Sequence, residues 1–146
     1  VANRAVDQGM RVVGFDPLPA LENIHQLSPE VELSRSLSAL LPRAQILTLH
    51  MPANEKTKGF VDDALLGRLP RGAFLVNFSR AEVVDEGAVR AALGSGRLEG
   101  YVTDFPTPGL IGHPSVIASP HLGASTEESE EQCAVMAVSE LRAYLE

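Results

Sequence analysis

Two side chains whose chemistry suits proton transfer and anion binding follow apolar runs in the sequence. His121 comes just after the run 116–118, and Arg80 comes shortly after the run 74–78. Histidine moves protons near neutral pH, and the guanidinium group of arginine binds a carboxylate through two parallel hydrogen bonds. A loop histidine bonded to the backbone and a solvated surface arginine are the plainer interpretations of each residue alone. Together they predict a site that holds a small carboxylate and moves a proton.

Short apolar runs that end in polar or ionisable residues recur along the chain and alternate with helical patterns. Strands are predicted at 11–15, 46–50, 74–78, 101–103 and 116–118, and their ends carry Asp16, His50, Arg80, Asp104 and His121. This alternation predicts an α/β fold with a doubly wound, Rossmann-type, mainly parallel sheet. Because the carboxyl ends of parallel strands share one edge of the sheet, and ligands bind beyond that edge, we expect one common site.

Capping residues predict where the helices between these strands begin. The predicted caps are Ser36, Asp62, Asp85 and either Ser125 or Thr126, the last two before a long helix. A brief edge strand is predicted at 31–33. Residues 1–7 look like the inside of a helix that has no capping residue before it. The chain is therefore expected to be a fragment of a longer protein.

Asp16 follows a strand that itself follows a helix. In dinucleotide-binding units this is the place of a carboxylate that binds the ribose hydroxyls of adenosine. Its negative charge would repel a 2′-phosphate, so NAD is expected rather than NADP. An aspartate that begins a turn before Pro17 is the plainer alternative. Gly9 and Gly14 do not have the spacing of a glycine-rich phosphate loop.

The composition narrows the possible partners. The 146 residues are enough for one domain, and the net charge of −7 argues against nucleic acid and anionic membranes. No apolar run is long enough to cross a bilayer, and no signal peptide is visible. Cys133 is the single cysteine, so neither a disulfide nor a cysteine metal cluster is predicted, and we expect it to be a small buried residue of a helix. A cytoplasmic location is predicted. No metal site is predicted.

An arginine, an imidazole and a dinucleotide-binding carboxylate together suit hydride transfer to or from a 2-hydroxy acid. The sequence also resembles the D-2-hydroxyacid dehydrogenases. The resemblance covers essentially the whole chain, and the segments that carry it lie at 11–17, 49–52, 77–80, 84–86 and 120–126. Within that family, segments 101–106 and 133–138 resemble D-3-phosphoglycerate dehydrogenases, which begin serine synthesis.

The resemblance implies a role for particular residues. Arg80 would bind the substrate, and His121 would be the general acid and base. Asp16 would hold the adenosine ribose, and Asp104 would contact the amide of the nicotinamide. The implied cofactor-binding residues are Asp16, Pro17, His50, Met51, Pro52, Thr57, Phe78, Ser79, Arg80, Asp104, His121, Gly123 and Ala124. The family also implies NAD as cofactor, a separate substrate domain and a homodimer.

The sequence departs from the family in two places. The first strand and the glycine loop are not in the chain, and that strand belongs at the centre of the sheet, between the strands 11–15 and 46–50. The family also has a glutamate before a proline that orients the histidine, whereas this chain has Thr107 and Pro108 there, in a shortened loop. No carboxylate partner for His121 is therefore evident, and the basic limb of the pH–rate profile is expected to lie lower than in relatives.

Three interpretations follow from these observations. The leading one is the NAD-binding domain of a 2-hydroxyacid dehydrogenase that acts on D-3-phosphoglycerate, occupying residues 1–146. The second is a dinucleotide-sensing regulatory module on the same scaffold, without turnover. The third is an excised fragment that is inactive by itself.

Overall fold

Short apolar runs form parallel strands, with helices between them. The computed structural model describes residues 1–20, 24–123 and 125–145. In chain order the elements are α1 (Ala2–Asp7), β1 (Val13–Gly14), β2 (Glu32–Leu33), α2 (Leu37–Leu40), β3 (Ile46–Leu49), α3 (Asp63–Leu66), β4 (Ala73–Asn77), α4 (Glu86–Gly94), β5 (Leu98–Thr103), β6 (Val116–Ala118) and α5 (Glu127–Leu145). Single 3-10 turns lie at Leu41–Arg43 and Ala81–Val83.

Four of the strands form one parallel sheet in the order β3-β4-β5-β6. Their last residues lie in one row, since Leu49 pairs with Asn77, Asn77 with Thr103, and Thr103 with Ala118. The segment after each strand therefore leaves the sheet at the same edge. The predicted α/β class with a parallel sheet is confirmed, and so is the shared edge for these four strands.

The prediction that segment 11–16 belongs to this sheet is wrong. Within the described ranges β1 pairs in parallel with β2 alone, through Val13 with Glu32 and Gly14 with Leu33, in a separate two-stranded sheet. In a doubly wound sheet one further strand stands between these two positions. No strand among the described residues fills that place, so β1 and β3 each keep one edge without a strand partner.

One face of the four-stranded sheet forms the core. Leu47, Leu75 and Tyr101 pack there against α3 and α4, which contribute Leu66 and Val89. Burying these side chains removes apolar surface from water, which stabilises the fold by roughly 25 cal/mol for each Å² buried. The opposite face carries exposed apolar side chains, namely Ile46, Phe74 and Ile117, which are 51%, 40% and 68% exposed.

The helices begin where the capping residues predict. The side-chain oxygen of Ser36 accepts from the backbone N–H of Ala39 at 3.2 Å, and that of Asp62 accepts from Leu65 at 2.8 Å. Asp85 caps α4 in the same way, and Thr126 caps α5. These bonds satisfy N–H groups that the first turn of a helix leaves free.

The last helix, α5, has no buried residue, and Cys133 on it is exposed. The prediction that this cysteine is buried is therefore wrong, because its helix does not pack on the core. Val135, Met136, Val138 and Leu141 of the same helix are more than half exposed. No helix among the described residues is long and apolar enough to span a membrane.

Candidate active site

An open cleft of about 550 Å³ lies at the edge where the strands of the main sheet end. Its lining residues come from the segments after β4, β5 and β6, and they are Phe78, Arg80, Asp104, Ser119, Pro120, His121 and Gly123. Five of these seven are residues that the sequence predicts for the site: Phe78, Arg80, Asp104, His121 and Gly123. The fold thus brings together residues that lie up to 45 positions apart, from Phe78 to Gly123.

His121 is hydrogen-bonded to a carboxylate. Its Nδ1 lies 2.7 Å from Oδ2 of Asp104, and the Phe105 ring lies against the imidazole with the ring centroids 4.4 Å apart. The side chain of Asp104 is 12% exposed and that of His121 is 48% exposed. The expectation that no carboxylate faces His121 is therefore wrong, because Asp104 reaches the ring from the neighbouring strand end.

A buried amide holds the turn that carries Arg80. Asn77, the last residue of β4, is fully buried, and its Nδ2 donates to the carbonyl of Arg80 at 2.9 Å. Its Oδ1 accepts from the backbone N–H and the hydroxyl of Ser79, at 3.1 and 2.8 Å. Arg80 itself is exposed, and its Nη1 donates to the carbonyl of Ser79 at 2.7 Å. Within the described ranges the other guanidinium N–H groups have no protein partner, so they face the cleft or solvent.

A second buried polar residue ties the loops of Asp104 and His121 together. Thr103, the last residue of β5, is fully buried, and its Oγ1 accepts from the N–H of Phe105 at 3.0 Å. Its carbonyl accepts from the N–H of Ser119 at 3.0 Å, just after β6 ends. The loops that carry the two members of the histidine–carboxylate pair are therefore fixed to each other through the backbone.

Several predicted cofactor residues lie outside the cleft lining. Asp16 is exposed, and its Oδ1 accepts from the N–H of Leu18 at 2.9 Å, which is the turn geometry of an aspartate before proline. Asp16 and Pro17 follow β1, in the two-stranded sheet. The structure does not bring them to the lining of the cleft, and their contact with ribose stays a prediction.

The segment after β3 carries four more predicted residues. Nε2 of His50 lies 3.0 Å from Oγ1 of Thr48, and partial burial lowers the pKa of the His50 ring from its ordinary value of 6.5. Met51 packs against the core, while Thr57 donates to the carbonyl of Pro52 at 2.6 Å. These contacts shape a loop at the edge of the main sheet where its strands end. Ser79 is bonded to Asn77, and Ala124 lies outside the described residues.

Three residues that the sequence does not single out also position this site: Asn77, Thr103 and Phe105. The first two have a signal in the sequence. Each is a polar residue at an inward position of an alternating strand, and a polar group buried there must find hydrogen-bond partners. Phe105 has no such signal, since its contact with His121 depends on two loops that meet only in the fold.

One oxygen of Asp104 remains available for a ligand. Its Oδ1 is buried and has no hydrogen-bond partner in the described part of the chain. A buried acceptor without a partner costs about 1–3 kcal/mol, and an N–H group of a ligand would remove this cost. The amide of a nicotinamide is such a group, so the residues present fit this end of the cofactor.

A second cleft, of about 480 Å³, lies apart from the predicted residues. Gly87, Arg90, Ala91 and His113 line it, and Nδ1 of His113 accepts from the N–H of Ser115. Its charged and titratable side chains are therefore Arg90 and His113, and one nitrogen of His113 is already hydrogen-bonded to the backbone. The strand-end cleft has the residues for chemistry.

Known proteins that are similar to this chain agree with the assignment of the strand-end cleft as the candidate active site. Residues 1–123 match the family described as D-isomer specific 2-hydroxyacid dehydrogenase, NAD binding domain. The chain is 35% identical over 144 residues to a D-3-phosphoglycerate dehydrogenase of Homo sapiens, which covers 91% of this chain and 26% of the relative. It is 34% identical over 147 residues to the D-3-phosphoglycerate dehydrogenase of Bacillus subtilis, covering 97% of this chain and 27% of the relative.

Solved structures give the same result. The apo form of Rhodotorula graminis D-mandelate dehydrogenase is similar with a TM-score of 0.76 and 28% identity, over 87% of this chain and 39% of that one. Fold and cleft thus define a dinucleotide-binding α/β domain. The chain belongs to the D-isomer specific 2-hydroxyacid dehydrogenase family and matches its NAD-binding domain. The predicted family and its NAD cofactor are confirmed. The chain spans about a quarter of the length of the curated relatives it matches.

Proposed function

We propose that the protein is an oxidoreductase that transfers a hydride between NAD and a 2-hydroxy or 2-keto acid, with D-3-phosphoglycerate as its hydroxy acid. The observation that carries the proposal is the cleft at which Arg80 and His121 lie together, with His121 bonded to Asp104. Family membership supports the reaction class. Relatives named D-3-phosphoglycerate dehydrogenase support the substrate and, with it, a role at the start of serine synthesis.

Arg80 binds the substrate acid in this proposal. Its guanidinium group presents N–H donors in a plane, which matches the two oxygens of a carboxylate and also reaches an adjacent carbonyl oxygen. Donation to that carbonyl stabilises the negative charge that develops on its oxygen during reduction. The bond from Nη1 to the Ser79 carbonyl fixes the side chain beforehand, and Asn77 fixes the turn beneath it.

His121 moves the proton of the hydroxyl group. An ionised carboxylate can only accept hydrogen bonds, so Asp104 holds the ring in the form that carries a proton on Nδ1. Nε2 is then the nitrogen that faces the substrate. During reduction of a keto acid it donates a proton to the carbonyl oxygen, and during oxidation of the hydroxy acid it accepts the hydroxyl proton.

The cofactor supplies the hydride chemistry when it is bound. In this chain Asp104 offers the buried acceptor Oδ1 for its amide, and Phe78 and Gly123 line the same cleft. Asp16 is proposed for the adenosine ribose, and its charge favours NAD over NADP. The homodimer and the cytoplasmic location stay predictions.

A regulatory module without turnover is left open by the sequence because the family's glutamate, which would be the carboxylate partner of His121, is absent. The contact between His121 and Asp104 removes that basis. The geometry is that of a histidine prepared for proton transfer, and it supports the enzyme over the sensor.

The test is turnover of the full-length protein with NADH and a series of 2-keto acids, including the 3-phosphorylated keto acid, followed by loss of NADH absorbance. We expect turnover, and a fall of about 10²–10⁴-fold in kcat for His121→Ala with NADH binding retained. His113→Ala is the matched control, since His113 lines the other cleft. Near-normal kcat in His121→Ala would overturn the assignment, and so would an unmutated protein that binds NADH but reduces no 2-keto acid.

A further inference from the structure

The residue that aligns His121 in this chain is also the residue that the family resemblance assigns to the cofactor amide. Asp104 meets Nδ1 of His121 through Oδ2, at 2.7 Å, while its Oδ1 stays buried without a partner. A carboxylate has two oxygens, and each accepts hydrogen bonds independently of the other. The two oxygens of Asp104 thus face two different tasks.

Thr107, at the place of the family's glutamate, does not take part in holding the histidine. Its Oγ1 is buried and has no hydrogen-bond partner in the described part of the chain, so it makes no bond to His121. A hydroxyl group is also neutral, so it gives no charge to stabilise a protonated ring. The histidine therefore depends on another residue for its orientation.

The carboxylate of Asp104 is held more firmly than a carboxylate in an exposed ion pair. Its side chain is 12% exposed, and the backbone on both sides is bonded, since Thr103 accepts from Phe105 through Oγ1 and from Ser119 through its carbonyl. The Phe105 ring lies against the imidazole and limits its rotation. Arg80 is the other charged side chain that lines the cleft.

We propose that Asp104 is the positioning residue for His121, so that one carboxylate performs the histidine alignment with Oδ2 and keeps Oδ1 for an N–H group of the cofactor. The family resemblance implies that relatives with the glutamate divide these tasks between two residues. The inference rests on the proposed function, because it assigns His121 the proton transfer. It does not make Asp104 a catalytic residue, since the proton passes through His121.

Two measurements on the full-length protein test this inference. The first is nitrogen-15 NMR of the histidine side chains, with the His121 signals assigned by the His121→Ala variant. In the unmutated protein we expect neutral His121 to carry its proton on Nδ1. In Asp104→Ala we expect that preference to be lost. The second measurement is the steady-state kinetics of keto-acid reduction over a range of pH.

In the kinetics, Asp104→Ala should lower kcat about 10²-fold, while KM for the keto acid changes less than about threefold. The limb of the pH profile that reports His121 should also shift. Asp104→Asn keeps the side-chain volume, so a loosened loop would not explain a loss of kcat in this variant. We expect kcat to fall as well, because the single amide oxygen cannot accept from both His121 and the cofactor as the two carboxylate oxygens do. Its affinity for NADH should fall with that of Asp104→Ala.

Thr107→Val is the matched control, because it removes the other buried hydrogen-bonding group without a partner in this loop. It should leave the position of the His121 proton and kcat as they are in the unmutated protein. A folded Asp104→Ala that keeps the proton on Nδ1 overturns the inference, and so does a Thr107→Val that lowers kcat equally. Absence of all turnover in the unmutated protein counts against the proposed function, and the NMR measurement still decides whether Asp104 holds the ring.

Discussion

The side-chain amide of Asn77 and the backbone carbonyl of Arg80 are joined by a hydrogen bond of 2.9 Å, and the same side chain accepts two bonds from Ser79. This fully buried residue closes the turn that follows β4. We predict that Asn77→Ala lowers the free energy of unfolding by about 1–3 kcal/mol, because buried groups of the turn lose their partners. Urea denaturation measures this, and KM for the keto acid should rise with it.

Asn54→Ala is the control for that change. Asn54 is exposed and its Oδ1 accepts from the N–H of Lys56 at 2.9 Å, so its loss should alter stability by less than about 0.5 kcal/mol. Equal losses in the two variants would show that the buried turn contributes nothing particular.

Arg80→Lys should weaken substrate binding because a lysine keeps the charge but loses the planar pair of donors. We expect KM for the keto acid to rise at least about tenfold and kcat to fall, since carbonyl polarisation is lost as well. Arg90→Lys, at the second cleft, should leave both constants unchanged. Steady-state kinetics at saturating NADH measures both, and an unaffected KM in Arg80→Lys would place the substrate acid elsewhere.

Asp16 should set the preference for NAD over NADP. Asp16→Asn removes the negative charge but keeps an oxygen that accepts from the Leu18 N–H, whereas Asp16→Ala loses both. If charge repulsion of the 2′-phosphate is the cause, both variants should relax the preference to a similar degree. The ratio of kcat/KM for the two cofactors measures this. A change in Asp16→Ala alone would assign the effect to the turn.

The ion pair between Glu32 and Arg43 should contribute to stability in a way that depends on pH. Both oxygens of Glu32 accept from Arg43 at 2.6 Å, which lowers the pKa of Glu32 from 4.5 and raises that of Arg43. A carboxylate with a lowered folded-state pKa stabilises the fold fully above 4.5, and this contribution is lost as the pH falls through the lower value.

Thermal unfolding at a series of pH values tests this expectation. In Glu32→Gln the thermal midpoint should fall less between neutral and acid pH than in the unmutated protein. The difference should be small, because the pair is exposed and salt screens it. Identical acid dependence in the two proteins would show that the pair makes no contribution.

The parts of the fold that the sequence predicts are those with local signals. Asp85 and Ser36 cap helices through bonds to residues three positions on, so a short window contains the whole interaction. The strand-end location of Arg80 and His121 is predicted in the same way. The place of β1 is not: the alternation predicts segment 11–15 in the main sheet, although no strand among the described residues stands between β1 and β3 to join them.

The pairing of His121 with Asp104 could not be predicted from the sequence either. The two residues are 17 positions apart, and the contact depends on the direction in which each side chain leaves its loop. The family resemblance implies an orienting glutamate at position 107, where this chain has a threonine, so no partner for His121 is evident from the sequence. Only the fold shows that a carboxylate from the adjacent strand end reaches the ring instead.

The row in which Leu49, Asn77, Thr103 and Ala118 end their strands also determines where the chain tolerates changes of length. Deleting one residue inside β4 would turn Asn77 to the opposite face and withdraw the Arg80 turn from the cleft, since side chains alternate along a strand. A residue gained or lost in the loop between Thr107 and Ser115 leaves this row intact, and loop length by itself costs little. Insertions and deletions should therefore accumulate in that loop during evolution while the strands keep a constant length.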